Sequence, residues 1–263
     1  MAVKTKSFEE FFYTKTDDIC NIENVSNYSD DHDGDYTPYK GFMLCPECQQ
    51  AELTFVHKSS YRRAHLKKIP SANHMENCSY NYEYALKKLI KSYVDDLSYN
   101  QVQDRLNAIM IMLCSTKFPK IISPNNAGTK MTAKDNPLLI PDVMKKQTNL
   151  KALRRKRLTG WIDETDGTDL HVFYGKVMLS VEEKKGTNKD GEEYSYYFLT
   201  LKTKNRKDEW KYRTSIYRGG IKDIIDEKKV YNIAMIGNLN FDYKWWRINL
   251  VNKNAIRYQE ENN

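Results

Sequence analysis

Cys45-Pro46-Glu47-Cys48 is the densest piece of chemistry in this 263-residue chain, and His74 and Cys78 follow it downstream. A C-x2-C pair puts two thiolates into one tight turn, the geometry that grips one side of a tetrahedral Zn2+. His74 and Cys78 stand four residues apart. On a helix that spacing is one turn, so both side chains face one point. Pro70 ends the preceding segment, and Ser71 is a suitable N-cap for such a helix. The 25 residues between Cys48 and His74 exceed the about 12 of an ordinary ββα finger. They read as two strands, 51–57 and 61–69, joined by Lys58-Ser59-Ser60, a hairpin that would fold Cys78 back beside Cys45. The expected ligands are Cys45, Cys48, His74 and Cys78. His57 and His65 are rivals for the histidine place, disfavoured because an extended strand does not readily aim both at one metal. Four protein ligands leave no position for water, so the zinc is expected to be structural and to contribute to folding. No βαβ pattern surrounds the C-x2-C, which argues against a thioredoxin-type redox pair. Cys20 and Cys114 lack partners in this pattern and read as ordinary thiols.

The segment from Gly41 to Tyr80 resembles the CPxC…H-x3-C modules of uncharacterised bacterial and phage proteins. It is loosely similar to the cysteine–histidine N-terminal segment of competence-associated CoiA-like proteins. The resemblance covers about 40 residues and implies a zinc module. The rest of the chain contains no matching nuclease motif, so the resemblance implies no catalytic activity.

Charge is unevenly spread along the chain. Residues 1–40 carry a net charge of −5, residues 41–160 carry +11 and residues 161–263 carry +1. The positive excess peaks at Lys145, Lys146, Lys151, Arg154, Arg155, Lys156 and Arg157, on a predicted helix over 142–157 with Pro141 at its start. Such a run either pairs with phosphates and releases counterions or is a solvated helix face. The acidic stretch 29–35 lacks the spacing and closing Glu of an EF-hand loop, so it reads as an acidic loop rather than a calcium site.

These groups must be positioned by an α+β chain. Four segments are expected: an acidic one over 1–40, a zinc-binding ββα-type module over 41–80, a helical region over 81–160 and a β-domain over 161–263. The aromatic cluster Phe8, Phe11, Phe12 and Tyr13 suggests a short helix over 7–13. Tyr84, Leu86, Leu89, Ile90, Tyr93 and Val94 recur at helical spacing. Ser98 is a plausible N-cap for a second helix ending at Cys114. Residues 115–140 hold three prolines and Asn125-Asn126-Ala127-Gly128, the composition of a long connector.

After Gly160 the pattern becomes that of strands. They are expected over 169–181, 194–204, 210–217, 230–236 and 245–251, the last with a continuation toward Tyr258. A short helix is expected over 221–227, and Gly237-Asn238 is read as the stop of the fourth strand. Five strands with a helix between the third and fourth is the element order of an OB-fold barrel. Such barrels bind single strands across their second and third strands and adjoining loops. Suited to that use are Lys184, Lys185 and Lys189 in the first loop, Tyr194, Tyr196 and Lys202 on the second strand and Arg213 on the third. Tyr243 in the last loop and Trp245 and Arg247 on the fifth strand complete the set. Aromatics are also favoured in any strand, and the near-neutral charge of this segment weighs against phosphate binding.

Composition excludes several classes. At 40% hydrophobic and 12% aromatic the chain is too apolar for disorder. No apolar run is long enough to span a membrane, and the first residues carry no signal-peptide core. A cytoplasmic location is expected, where five cysteines are better explained by metal than by disulfides. The phosphate-loop, dinucleotide, zincin, serine-elbow and deaminase motifs are absent. The carboxylates Asp163, Glu164, Asp166 and Asp169 read as a polar turn rather than a Mg2+ site. No small-molecule substrate is evident. The expected function is non-enzymatic binding of single-stranded DNA or RNA with a structural zinc. The alternative is a protein-interaction adaptor of phage or mobile-element origin, docking through the barrel.

Overall fold

The computed structural model describes residues 6–114, 132–142, 149–242 and 245–261. The described residues form two units, one from 6–83 with 132–139 and the other from 84–114 with 140–261.

In the first unit β1 (Ser7–Phe8), β2 (Glu10–Tyr13) and β3 (Asp18–Asn21) precede α1 (Ile22–Asp31), β4 (Met43–Leu44), β5 (Leu53–Val56) and β6 (His65–Lys68). The helix expected over 7–13 is therefore two strands. Aromatic side chains fit a pleated, half-buried surface better than a helix face, and Phe8 and Phe11 are both fully buried. The strands pair in the orders β1-β6-β5 and β3-β2-β4. Asn21 caps α1 by accepting the Glu23 N–H at 2.9 Å. The acidic stretch is the end of this helix and a turn in which Asp35 accepts from the Thr37 N–H and hydroxyl. One core joins Phe8, Phe11 and Val25 to Met43, Leu53 and Leu66, with Cys45, Cys48 and Cys78 among them. The acidic N-terminal residues and the C-x2-C segment thus share a single core.

The second unit opens with α2 (Lys87–Asp96) and α3 (Tyr99–Cys114). Ser98 caps α3 as its sequence suggests. Its Oγ accepts the Gln101 N–H at 3.4 Å, and Gln101 Oε1 accepts the Ser98 N–H at 2.9 Å, a reciprocal capping box. Val102, Leu106, Ile109 and Met110 form the buried stripe of α3.

Three short strands follow: β7 (Leu139–Asp142), β8 (Asn149–Ala152) and β9 (Arg154–Arg157). The predicted basic helix does not form over 149–157, and its residues 143–148 lie outside the described residues. The run has good helix formers but no apolar stripe at helical spacing to bury. Edge pairing wins over propensity: β9 runs parallel to residues 171–174 of the long strand that follows.

That strand is β10 (Leu170–Thr187), and β11 (Glu193–Lys204), β12 (Trp210–Gly219), β13 (Val230–Asn240), β14 (Arg247–Leu250) and β15 (Ile256–Glu260) complete the sheet. The order is β12-β11-β10-β13-β14, antiparallel throughout, with β15 following β14 along the same edge of β13. The sheet curls. Thr214 of β12 donates to the Trp246 carbonyl next to β14 at 3.3 Å, and the Arg213 guanidinium lies 4.9 Å from the centre of the Trp246 ring. Inside sit Phe173, Val177, Leu199, Leu201, Ile216, Ile233, Met235 and Ile248. Gly175, at φ 148°, marks where β10 exchanges neighbours, from β9 before it to β11 from Met178 onward.

The strands differ from their sequence outlines in three places. The charged run after Val181 is not a loop, because β10 continues to Thr187, its last residues 184–187 pairing with 193–196 as a two-stranded arm. No helix forms over 221–227. That connector is held by Arg218, which donates Nε to Asp223 Oδ2 at 2.8 Å and Nη1 to the Lys253 carbonyl at 3.0 Å. Gly237 does not end β13 but lets β14 approach, since a Cβ there would meet the Asn249 carbonyl oxygen at 2.5 Å.

Candidate metal centre and aromatic face

The first unit brings Cys45, Cys48, His74 and Cys78 together with all four ligand atoms within 4.8 Å of one another. Cys45 Sγ lies 3.8 Å from Cys78 Sγ, and His74 Nδ1 lies 3.5 Å from the sulfurs of Cys48 and Cys78. Tetrahedral coordination with metal–sulfur bonds of about 2.3 Å and metal–nitrogen bonds of about 2.0 Å has edges of about 3.8 and 3.6 Å. A disulfide would need about 2.0 Å, and all of these cysteines are free. The cluster therefore has the size and donor set of a metal site.

Two turns deliver the ligands. In the knuckle the Cys45 N–H donates to the Ala51 carbonyl at 2.7 Å and the Gln49 N–H donates to the Cys45 carbonyl at 2.9 Å, with Gln49 left-handed at φ 51°. The predicted helix under His74 and Cys78 is absent. Pro70, Asn73 and Asn77 favour turns, and the Cys78 N–H closes one on the Met75 carbonyl at 3.0 Å. A single 3-10 turn, Ser79–Asn81, follows Cys78. The His74 ring stacks at 5.9 Å on both Phe8 and Tyr80, which orients it without a helix. The rivals are engaged elsewhere: His57 Nδ1 lies 3.3 Å from Ser29 Oγ, and His65 Nδ1 lies 3.2 Å from the Arg63 carbonyl.

Two residues beyond the expected set fix this geometry. Glu47, inside the knuckle and buried, accepts from the Ser79 N–H and hydroxyl and from Asn136 Nδ2. Asn136 also donates to the Asn77 carbonyl at 2.7 Å. The carboxylate thus ties the C-x2-C turn to the residue after Cys78. Its position between the two cysteines was the available signal; Asn136 had none.

Three thiols in one site cannot all ionise unaided. Hydrogen bonds from Cys45, Cys78 and His74 hold the Cys48 thiol far below the ordinary range. Burial pushes the Cys45 thiol up, and the interactions with Cys45 and Cys48 push Cys78 up.

In the second unit the outer face of β10, β11 and β12 carries a row of aromatics. Tyr194, Tyr212 and Tyr217 are 50%, 53% and 59% exposed. The Tyr196 ring lies 5.9 Å from Tyr194 and Phe198 and 6.0 Å from Tyr217. Lys184 Nζ and the Arg247 guanidinium stand 5.8 and 6.0 Å from the Phe198 ring. Leu199 and Leu201 point inward, which leaves Tyr194, Tyr196, Phe198 and Lys202 outside. A bulge brings Tyr212 opposite Lys202, on the outer face. Tyr212 and Tyr217 are therefore additions to the expected set.

The other predicted contacts are dispersed. Lys145, Lys146 and Tyr243 lie outside the described residues. Arg154 pairs with Asp169 at 3.3 Å and covers the Tyr84 ring at 4.3 Å; Arg155 and Arg157 are half-buried on β9. Lys184 and Lys185 sit on the arm beside Glu182 and Glu193, and Lys189 is exposed at its tip. Arg213 donates to the Gly160 carbonyl and lies on Trp246, so it is not part of the outer row. Trp245 is 67% exposed. The carboxylates 163–166 close a 3-10 turn capped by Asp163, with Asp166 paired to buried Lys156 at 2.7 Å. No helix among the described residues is long and apolar enough to cross a membrane.

Comparison with protein families, with characterised proteins and with solved structures returns no match to this chain.

Proposed function

We propose that this chain is a non-enzymatic binding protein for single-stranded nucleic acid, stabilised by a structural zinc ion. The observation that carries the reading is the contiguous row Tyr194–Tyr196–Phe198–Tyr217 on one sheet face, flanked by Lys184 and Arg247. Stacked bases gain about 1–3 kcal/mol each on such side chains while cations hold the backbone. The order β12-β11-β10-β13-β14, with β12 drawn toward β14 by the Thr214–Trp246 bond, supports reading the curled sheet as an OB-type barrel, a fold used for this purpose. Zinc is the ion that suits three thiols and one imidazole on a tetrahedron. With four protein donors the ion has no open position, so it acts on folding rather than on a reaction.

Fluorescence anisotropy with labelled single-stranded DNA, duplex DNA and single-stranded RNA at about 50 and about 200 mM salt tests the reading. The expected result is single-strand binding that weakens with salt and falls about 5- to 150-fold in Tyr196→Ala, the span of one lost stack. Trp245→Ala is expected to weaken it as well. Flat titrations on all three ligands would discard the reading and favour the adaptor.

A further inference from the structure

We propose that the metal-bearing unit holds a second site, a phosphoryl-oxyanion cleft formed around Arg62 and Lys67. The cleft encloses about 400 Å3 and is lined by Lys6, His57, Ser59, Arg62, His65 and Lys67, with no carboxylate among its lining residues. That volume suits a phosphoryl group with its substituents. None of the four metal ligands lines it.

The fold places the two cations deliberately. Leu66 is buried in β6, so strand alternation turns Lys67 outward. The connector from β5 to β6 doubles back where the Ser59 N–H donates to the Arg62 carbonyl at 2.9 Å, bringing Arg62 to the same opening. Both side chains are exposed, and neither makes a hydrogen bond or ion pair with a described residue. Lys6 adds a fixed charge at the wall, its ammonium donating to the Ser79 and Tyr82 carbonyls. The local potential is registered by His65. Burial first, and then the charges of Arg62 and Lys67, hold its imidazole below the ordinary range.

Arg62 and Lys67 facing one opening that no carboxylate lines favour an anion of more than one charge. A guanidinium offers two parallel N–H groups to two oxygens of one phosphoryl group, and Lys67 and the Ser59 hydroxyl supply further donors. The phosphoryl group has two sources, free phosphate or the backbone of a nucleic-acid strand. Only the second rests on the function proposed above.

The test uses the full metal-loaded chain, titrated by calorimetry with inorganic phosphate and by anisotropy with a labelled single-stranded oligonucleotide over a salt series. Arg62→Ala/Lys67→Ala is the variant, with bound metal measured to confirm an intact unit. One saturable phosphate site, weakened at least tenfold in the variant, supports the cleft with free phosphate as its ligand. A salt slope reduced by about two, one for each cation removed, supports it with the strand as its ligand. Wild-type protein that binds phosphate but no oligonucleotide sinks the strand-binding function and leaves the cleft standing. Phosphate uptake and salt slope both indifferent to the variant overturn the cleft.

Discussion

Replacing Glu47 separates the contribution of the knuckle's own carboxylate from that of the four ligands. Its Oε1 accepts from the Ser79 N–H and from Asn136 Nδ2, the latter at 2.8 Å, and its Oε2 accepts from the Ser79 hydroxyl. Glu47→Ala strands two buried donors, the Ser79 amide and the Asn136 side chain, at about 1–3 kcal/mol each. The hydroxyl re-aims at little cost. The unit should therefore lose about 2–6 kcal/mol of stability. Because Ser79 directly follows Cys78, metal affinity should fall about 10- to 100-fold, the usual effect of losing a group that orients a ligand. Glu47→Gln is the discriminating control. Its Oε1 keeps both amide bonds, and its Nε2 donates to a hydroxyl that turns round to accept. Its affinity should stay within about threefold of wild type, below the usual span for a lost orienting group. Zinc dissociation constants from chelator competition, paired with urea melts of the zinc-loaded chain, read both quantities. An Ala variant that binds zinc like wild type, or a Gln variant as weak as Ala, would refute the reasoning.

Three further outcomes are expected. Lys156→Ala should destabilise the second unit by about 3–5 kcal/mol, the cost of removing one partner from the buried pair that it forms with Asp166 at 2.7 Å. Lys156→Met/Asp166→Asn should recover most of that loss in urea denaturation. Burial, the largest influence on His171, holds its imidazole below the ordinary range. The unfolded chain then binds the proton first as pH falls, so this contribution is full above about pH 6.5, fades below it and is lost through the folded pKa. His171→Phe should flatten that part of the stability–pH curve, and an unchanged curve would remove His171 as its source. Gly237→Ala should cost about 1–3 kcal/mol as the new methyl pushes on the Asn249 carbonyl, measurable as a lowered melting temperature.

The Cys/His cluster was legible because C-x2-C chemistry is local and Cys78 lies four residues from His74. Its scaffold was less so. The same four-residue spacing is satisfied by a turn, and prolines and asparagines decide between turn and helix more weakly than tertiary packing does. Ser98 and Gln101 announced α3 because both halves of a capping box lie within one turn. The strands of the curled sheet were readable from Leu199, Leu201 and Ile248, whose alternation separates inside from outside. Arg154–Arg157 misled because helix propensity is intrinsic, whereas pairing with residues 171–174 comes from elsewhere in the chain. Lys184 and Lys185 looked like loop residues for a related reason, since their charges suit solvent but their backbone pairs with Ser195 and Tyr196. Asn136 was invisible because its partners are 59 and 89 residues away.

That remote asparagine sets an order of assembly during synthesis. The ribosome releases the four ligands by residue 78 but supplies Asn136 only after both helices of the other unit have been made. At about 5–20 residues per second, the nascent knuckle waits about 3–12 s for its last hydrogen-bond partner. A ligand set complete in sequence is thus incomplete in its support for that interval, and early metal capture would act as a placeholder until the chain returns. A gene fragment cut at residue 83 would freeze the protein in that waiting state. A short form of the Cys/His cluster that keeps this support is therefore a spliced one, with 132–139 joined back by a linker.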